Sequence, residues 1–407
     1  MVFKSVRHRK LEVSGPVQMK KKMLYVHVLP IDTVAANAVQ VLKMCQAFAN
    51  SGIDVTLAVP EGDKRKSEED YKLSIEKNVG TYPDFSIVTF KQYTIFGRLK
   101  LLGGYFSVKK LLDEITPDFV FLRNIVLVRA AIKTNTPFIY ESHNNLMHNT
   151  SRILNAYWTR YMLRVSSNPL MINFVAISGA LGNFWTDMGI PEDKVLSVHD
   201  GFDGHWFEQL VNKEDARELV GLPQNRKIVL YMGSLYQDRD IDNIIDMAKN
   251  LEEAYFVVVG GSPQEQNFYQ SIAQNNKVSN IIFWGSVNHQ DVANFLFSAD
   301  ILLMTWSRRV KTIDYCSPLK LFEYMAAGRI IVGHGYPTIK EVLQNGEDAY
   351  LVDPDSKEDL LEMLRRALNE NPEEFGIKSR EKAFEKYTWQ QRADKIIKST
   401  FGGGCSI

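Results

Sequence analysis

The chain has 407 residues, of which 45% are hydrophobic and 24% charged. That is too long for one ordinary core and typical of a soluble globular protein, so two domains of roughly 200 residues are expected. The formal net charge is zero, yet residues 1–200 hold 25 Lys and Arg against 18 Asp and Glu, and the remainder reverses that balance. A basic first half points to an anionic partner, with an acidic membrane surface and a nucleic acid both qualifying, or to charge that is merely solvated. No apolar run approaches the ~20 residues of a membrane helix, and no signal-type apolar stretch follows the basic N-terminus. Cys45, Cys316 and Cys405 form neither a disulfide framework nor a metal-ligand spacing, which suits a reducing cytoplasm.

Residues 1–20 read as a polar, basic, disordered leader. A strand is predicted at 23–29, then a helix over 35–51 closed by Gly52, then a strand at 54–59. The stretch 96–110 mixes basic and apolar residues, as either a segment lying on an anionic membrane or an ordinary amphipathic helix would. Further apolar runs at 119–122, 137–140 and 174–177 alternate with helical segments. After a polar break near 200–225 the pattern restarts at 227–232, 255–259, 281–284, 300–304, 330–332 and 349–352. Strands buried on both faces and separated by helices mean parallel sheets, so two doubly wound domains are expected, divided at 203–215. Thr388 with Gln391 makes a capping box that starts a new final helix. Such sheets bind ligands at the carboxyl ends of their strands, which makes the cleft between them the expected site.

The segment Tyr315-Cys-Ser-Pro-Leu-Lys-Leu-Phe-Glu-Tyr-Met-Ala-Ala-Gly328 is the most informative. Ser317 is expected as N-cap and Pro318 at the first helical position, leaving the N–H groups of Leu319 and Lys320 open at the positive end of the helix. With the Lys320 ammonium this is an anion site, and Glu323 lies one turn deeper on the same face, placed to accept two ribose hydroxyls. The alternative is an ordinary capped helix with Lys320 and Glu323 as a side-chain pair. Gly233 ends a predicted strand where a ligand can approach the backbone, and Arg239 can reach a phosphate bidentately or pair with Asp238 or Asp240 instead. Gly285, Ser286 and Val287 follow another strand and either face a base or form a turn. In the first half, Ala35, Ala36 and Asn37 occupy the place of a Gly-x-Gly-x-x-Gly motif, which argues against a nicotinamide or flavin cofactor. Glu141 and His143 fall at the ligand edge of the first sheet, where His143 either bonds sugar hydroxyls or packs. Thr338 and Glu341 look like a capping box, which leaves Glu341 without a catalytic task.

In this order the segments resemble the retaining nucleotide-sugar glycosyltransferases of the GT-B fold, glycosyltransferase family 4 (glycosyl transferases group 1), over nearly all of 23–398. The resemblance implies an α/β architecture of two Rossmann-like doubly wound parallel-sheet domains facing each other across a cleft. An acceptor-side domain would span 21–205, a donor domain 206–386, and a helix at 387–400 would cross back. It assigns Arg239 to the donor diphosphate, Ser317, Pro318 and Leu319 to backbone contacts, Glu323 to the ribose and Val287 to the base, at the donor site where the helix tip and the strand end already place Lys320 and Gly233. His143 would lie near the donor sugar, and Ala36 and Asn37 replace a Gly-Gly pair on the acceptor side. Arg239, His143 and Glu323 are thus the expected catalytic groups. The first of the family's two glutamates falls at Tyr315, with the acid Asp314 one place off, and the second basic residue of the Gly233 loop is absent. The implied activity is transfer of a sugar from a UDP- or GDP-linked donor to a glycan or lipid-linked acceptor, with retention, in cell-surface polysaccharide or glycoconjugate synthesis. No Asp-x-Asp pair stands where it would hold a metal, so neither metal nor cofactor is expected. A cytoplasmic protein touching an anionic membrane at its periphery, without nucleic acid, is the corresponding placement. A sugar-nucleotide epimerase of the same fold and a non-catalytic binder of nucleotide sugar or glycan are the alternatives.

Overall fold

The computed structural model describes residues 20–402 apart from 32, 34, 63–65, 93–99 and 146–151. The predicted leader (all but its last residue), Cys405 and the start of the 96–110 stretch lie outside these residues. Two sheets result. The first comprises β1 (Lys22–Val26), β2 (Asp54–Pro60), β3 (Ser86–Phe90), β4 (Phe119–Leu122), β5 (Phe138–Ser142), β6 (Met171–Ala176) and β7 (Val195–Ser197). The second comprises β8 (Lys227–Met232), β9 (Ala254–Val259), β10 (Ile281–Gly285), β11 (Ile301–Met304), β12 (Ile330–His334) and β13 (Tyr350–Val352). Their orders are β3-β2-β1-β4-β5-β6-β7 and β10-β9-β8-β11-β12-β13, and every neighbouring pair is parallel.

The central strands form because their residues are apolar on both faces. Phe-Val-Phe-Leu of β4 and Ile-Leu-Leu-Met of β11 are buried throughout, as parallel strands covered by helices on each side require. Clusters built around Phe48 and Phe121 on one face and Phe138 and Trp185 on the other fill the first domain. Two further clusters flank the second sheet. Each large side chain buried this way contributes about 1.5–3 kcal/mol. β3 and β7 were not predicted. They are edge strands in part or wholly accessible, so neither carries a full apolar run.

The chain crosses between domains twice, and the two crossings pair. Phe202 N–H donates to Tyr387 O at 3.0 Å and Trp389 N–H to Phe202 O at 3.2 Å. A Cβ on Gly201 would stand 2.5 Å from Tyr387 O, so only glycine lets the strands approach. Thr388 and Gln391 form a reciprocal cap, and the helix Trp389–Phe401 that they start buries Trp389, Ala393, Ile396 and Ile397 in the core of the first domain. In each sheet the strand order reverses beside the first strand, between β1 and β4 and between β8 and β11. Crevices for ligands open at such points.

Candidate functional site

Loops from both crevices line one cleft of about 550 Å³, within the range of small-molecule sites. From the second domain come Gly233 and Arg239 after β8, Trp306 after β11, and Ser317, Pro318, Leu319, Lys320 and Glu323. From the first come Ala36, Asn37, Gln40, Arg123, His143 and Asp200. Val287 is not part of this lining. Its side chain is half-buried against the core of the second domain, because the loop after β10 folds onto that core.

The helix at the centre of the donor side is Leu319–Ala327, with Pro318, not Ser317, in the capping position and no side-chain cap. Ser317 is drawn away because its Oγ accepts the backbone N–H of Asp200 at 2.8 Å, from the other domain. The amides of Leu319 and Lys320 still have no partner among the described residues, so the shift by one residue leaves both open at the helix start. Met232 N–H donates to Tyr324 Oη at 2.7 Å, which fixes this helix to the end of β8. Gly233 follows at φ 153°, and a Cβ there would lie 3.6 Å from Lys320 Nζ and 3.3 Å from Tyr231 Oη.

Lys320 does not pair with Glu323. Its Nζ lies 4.2 Å from the centre of the Tyr231 ring and 5.3 Å from that of Trp306, and burial, reinforced by Arg239, brings its pKa down to about 7. Arg239 stands on a short turn, Gln237–Arg239. Its Nε reaches Ser234 Oγ at 3.2 Å and lies 3.6 Å from Asp238 Oδ1. Its Nη1 is buried without a hydrogen-bond partner, and buried cationic donors are rarely left so. Glu323 has neither hydrogen bond nor ion pair among the described residues. Burial, then the charge of Asp203, lifts its pKa to about 7. Two cations, two amides and an uncommitted carboxylate therefore converge on one space. Such a set takes a diphosphate followed by a diol.

On the facing side, His143 follows β5 with its Nε2 2.6 Å from Glu141 Oε1. Arg123 lies against the same ring, its Nη2 at 2.8 Å from Nε2 and 3.3 Å from Nδ1. Burial and Arg123 lower the His143 pKa, so the ring is neutral near pH 7. Glu141 is fully buried. Burial would raise its pKa, but Arg392, His143 and Arg123 overcome that and hold it well below the usual carboxylate range. Arg392, on the final helix, donates from Nη2 to Glu141 Oε2 at 2.9 Å and from Nε to His199 O at 3.0 Å. Gln40, Arg123, Asp200 and Arg392 were not singled out from sequence. Arg123 had a usable signal, since it directly follows β4 as His143 follows β5.

Two other expectations are corrected. Tyr315 is buried in the core of the first domain, and Asp314 is exposed and outside the cleft, so neither supplies an acid to the cleft. The cap expected at Thr338 is absent: Tyr336 precedes the helix Pro337–Lys340. Glu341 instead accepts the N–H groups of Gly179 and Ala180 at 2.7 and 2.6 Å and lies 2.8 Å from His199 Nε2. It thereby joins the second domain to the N-terminus of the helix Gly179–Asp187 in the first. This is the charge that a helix N-terminus favours.

Two doubly wound parallel-sheet domains facing each other across a cleft define a GT-B glycosyltransferase architecture. The chain belongs to the family-4-type glycosyltransferases: the pattern described as "Glycosyltransferase Family 4" matches residues 38–205 and "Glycosyl transferases group 1" matches 212–388. It is 25% identical over 203 residues to a putative colanic acid biosynthesis glycosyl transferase, WcaI, of Escherichia coli, covering 48% of this chain and 49% of that one. It is 21% identical over 343 residues to chitobiosyldiphosphodolichol beta-mannosyltransferase of Debaryomyces hansenii, covering 74% and 69%. The E. coli match thus spans about half the relative's length. Among solved structures, a glycosyltransferase from Rickettsia africae superposes with a TM-score of 0.74 at 16% identity, over 95% of this chain and 100% of that one. Anabaena HepE, solved with UDP and glucose, superposes with a TM-score of 0.71 at 15% identity, over 93% and 99%.

Proposed function

We propose that this glycosyltransferase moves a sugar from a UDP- or GDP-linked donor to a glycan or lipid-linked acceptor, with retention at the anomeric carbon and without a metal ion. The observation that carries this reading is that the unpartnered Arg239 Nη1, the open amides of Leu319 and Lys320, and, one turn along the helix, the uncommitted Glu323 belong to residues lining one cleft. The leaving diphosphate is stabilised by those amides, the helix dipole, Lys320 and Arg239, and removing one such preorganised donor typically costs about 3 kcal/mol. Neutral His143 meets the sugar as a hydrogen-bonding group, and the two domains exclude water around it.

Cell-surface polysaccharide or glycoconjugate synthesis is the setting that fits. The E. coli relative is named for colanic acid, and a Bacillus subtilis relative, 25% identical over 209 residues, for teichuronic acid. The basic character of the first half supports an anionic or lipid-linked acceptor. The helices Val128–Lys133 and Arg152–Ser166 carry Arg129, Lys133, Arg152, Arg160 and Arg164 with no acid, and Ile153 on the second is 82% exposed. A cytoplasmic protein resting at the membrane periphery accords with this face. Among the described residues no helix is long and apolar enough to cross a membrane.

Mass spectrometry of released nucleoside diphosphate tests the reading. Release of UDP or GDP only when an acceptor is added, unaffected by EDTA, is the expected result. Conversion of the donor alone indicates an epimerase, and loss of transfer in EDTA contradicts metal independence. The burial of Tyr315 and exposure of Asp314 favour one second reading, a binder that holds a nucleotide sugar without releasing nucleoside diphosphate under any condition.

A further inference from the structure

Two carboxylates line the cleft among the described residues, Glu323 on the donor helix and Asp200 on the crossing between domains. Asp200 is 5% exposed. Its Oδ1 accepts Gln40 Nε2 at 2.7 Å and stands 3.6 Å from Arg392 Nε. Its backbone N–H is bound to Ser317 Oγ at 2.8 Å, two residues ahead of the open amide of Leu319. Oδ2 has no hydrogen bond among the described residues, yet it is not one of the sealed unpartnered atoms, so it opens to the cleft.

Resting on the donor-site reading above, we propose that Asp200 is the acid that meets the transferred sugar. Its free Oδ2 accepts a sugar hydroxyl, and its charge stabilises the positive charge that develops at the anomeric carbon as the bond to the diphosphate breaks. Direction supports this. A diphosphate on the Leu319 and Lys320 amides sends its nucleoside toward Glu323, one turn along the helix, and leaves its sugar at the Ser317 end, where Asp200 is bound. Charge bears on it as well. Burial leaves the Asp200 pKa raised, with the Arg392 guanidinium opposing the shift, and the fixed partners Gln40 and Arg392 both face Oδ1, which leaves Oδ2 for a ligand. A carboxylate preorganised where positive charge appears is the arrangement that favours a transition state over bound substrate. A purely structural Asp200, serving only to hold Gln40 and Arg392, would affect every ligand of the cleft alike.

Calorimetric titration of UDP, UDP-glucose, GDP and GDP-mannose into wild type and Asp200→Asn separates these roles, with turnover measured for the donor that binds. Asn keeps the shape and an acceptor for Gln40. The expected result is nucleoside diphosphate affinity within about twofold of wild type, nucleotide-sugar affinity reduced about fivefold or more, and kcat reduced about a hundredfold. Asp200→Ser, which keeps a hydroxyl for Gln40, is read the same way, so a folding defect in one variant does not decide the matter. Equal losses for nucleoside diphosphate and nucleotide sugar, or turnover within about threefold of wild type, overturn the assignment. If wild type binds none of the four ligands, the donor-site reading itself fails and this inference falls with it.

Discussion

Lys320 and Glu323 lie three residues apart on one helix, both with pKa values displaced to about 7 from opposite directions. Burial and Arg239 strip the lysine of its preference for charge, while burial and Asp203 do the same to the acid. A diphosphate needs the lysine protonated, and a ribose diol needs the acid ionised. Above pH 7 the free protein must therefore take up a proton to bind a nucleotide sugar, and below pH 7 it must lose one. Affinity is expected to peak near pH 7 and to fall up to about tenfold per pH unit on each side. Calorimetry across that range checks it, with Lys320→Met flattening the alkaline limb and Glu323→Gln the acid one. A flat wild-type profile would count against both assignments. Arg239→Ala should cost about 1.5–3 kcal/mol of donor affinity, the worth of a hydrogen bond to a charged group, and unchanged affinity would show that Nη1 meets something else.

At the scale of elements, the final helix holds the first domain's polar centre. Its Arg392 is 1% exposed and faces Glu141, itself 0% exposed. Replacing Arg392 by Met leaves a buried carboxylate with fewer cations, so unfolding in urea should show a loss of about 3–5 kcal/mol. A loss under about 1 kcal/mol would mean that water or Arg123 compensates. This helix also marks the limit of what sequence offers. Its start was readable because a cap is local: Thr388 and Gln391 lie within one turn. The strands β8 to β13 were readable for the same reason, as continuous apolar runs. Gln40 with Asp200 and Glu141 with Arg392 were not, since 160 and 251 residues separate the partners and only the double crossing brings them together. Ser317 was misread as a cap because the sequence does not show that the backbone of Asp200 competes for its hydroxyl.

For the whole molecule, the relation between the domains rests on few polar contacts, and Glu341 makes three of them. Glu341→Gln keeps the shape but removes the charge that Gly179, Ala180 and His199 share. Small-angle scattering should then report a larger radius of gyration, and kcat should fall about tenfold while nucleotide-sugar affinity stays within about twofold, as expected when closure rather than donor binding is impaired. Unchanged scattering and turnover would reduce this contact to surface chemistry.

The helix tip at Leu319 with Glu323 behind it remains the centre of the assignment, and a single titration tests it. Calorimetry with UDP- and GDP-linked sugars on wild type and Glu323→Ala is expected to show one nucleotide class bound by wild type and bound at least about tenfold more weakly by the variant. Binding of neither class by wild type, or equal affinity in the two proteins, would contradict the site.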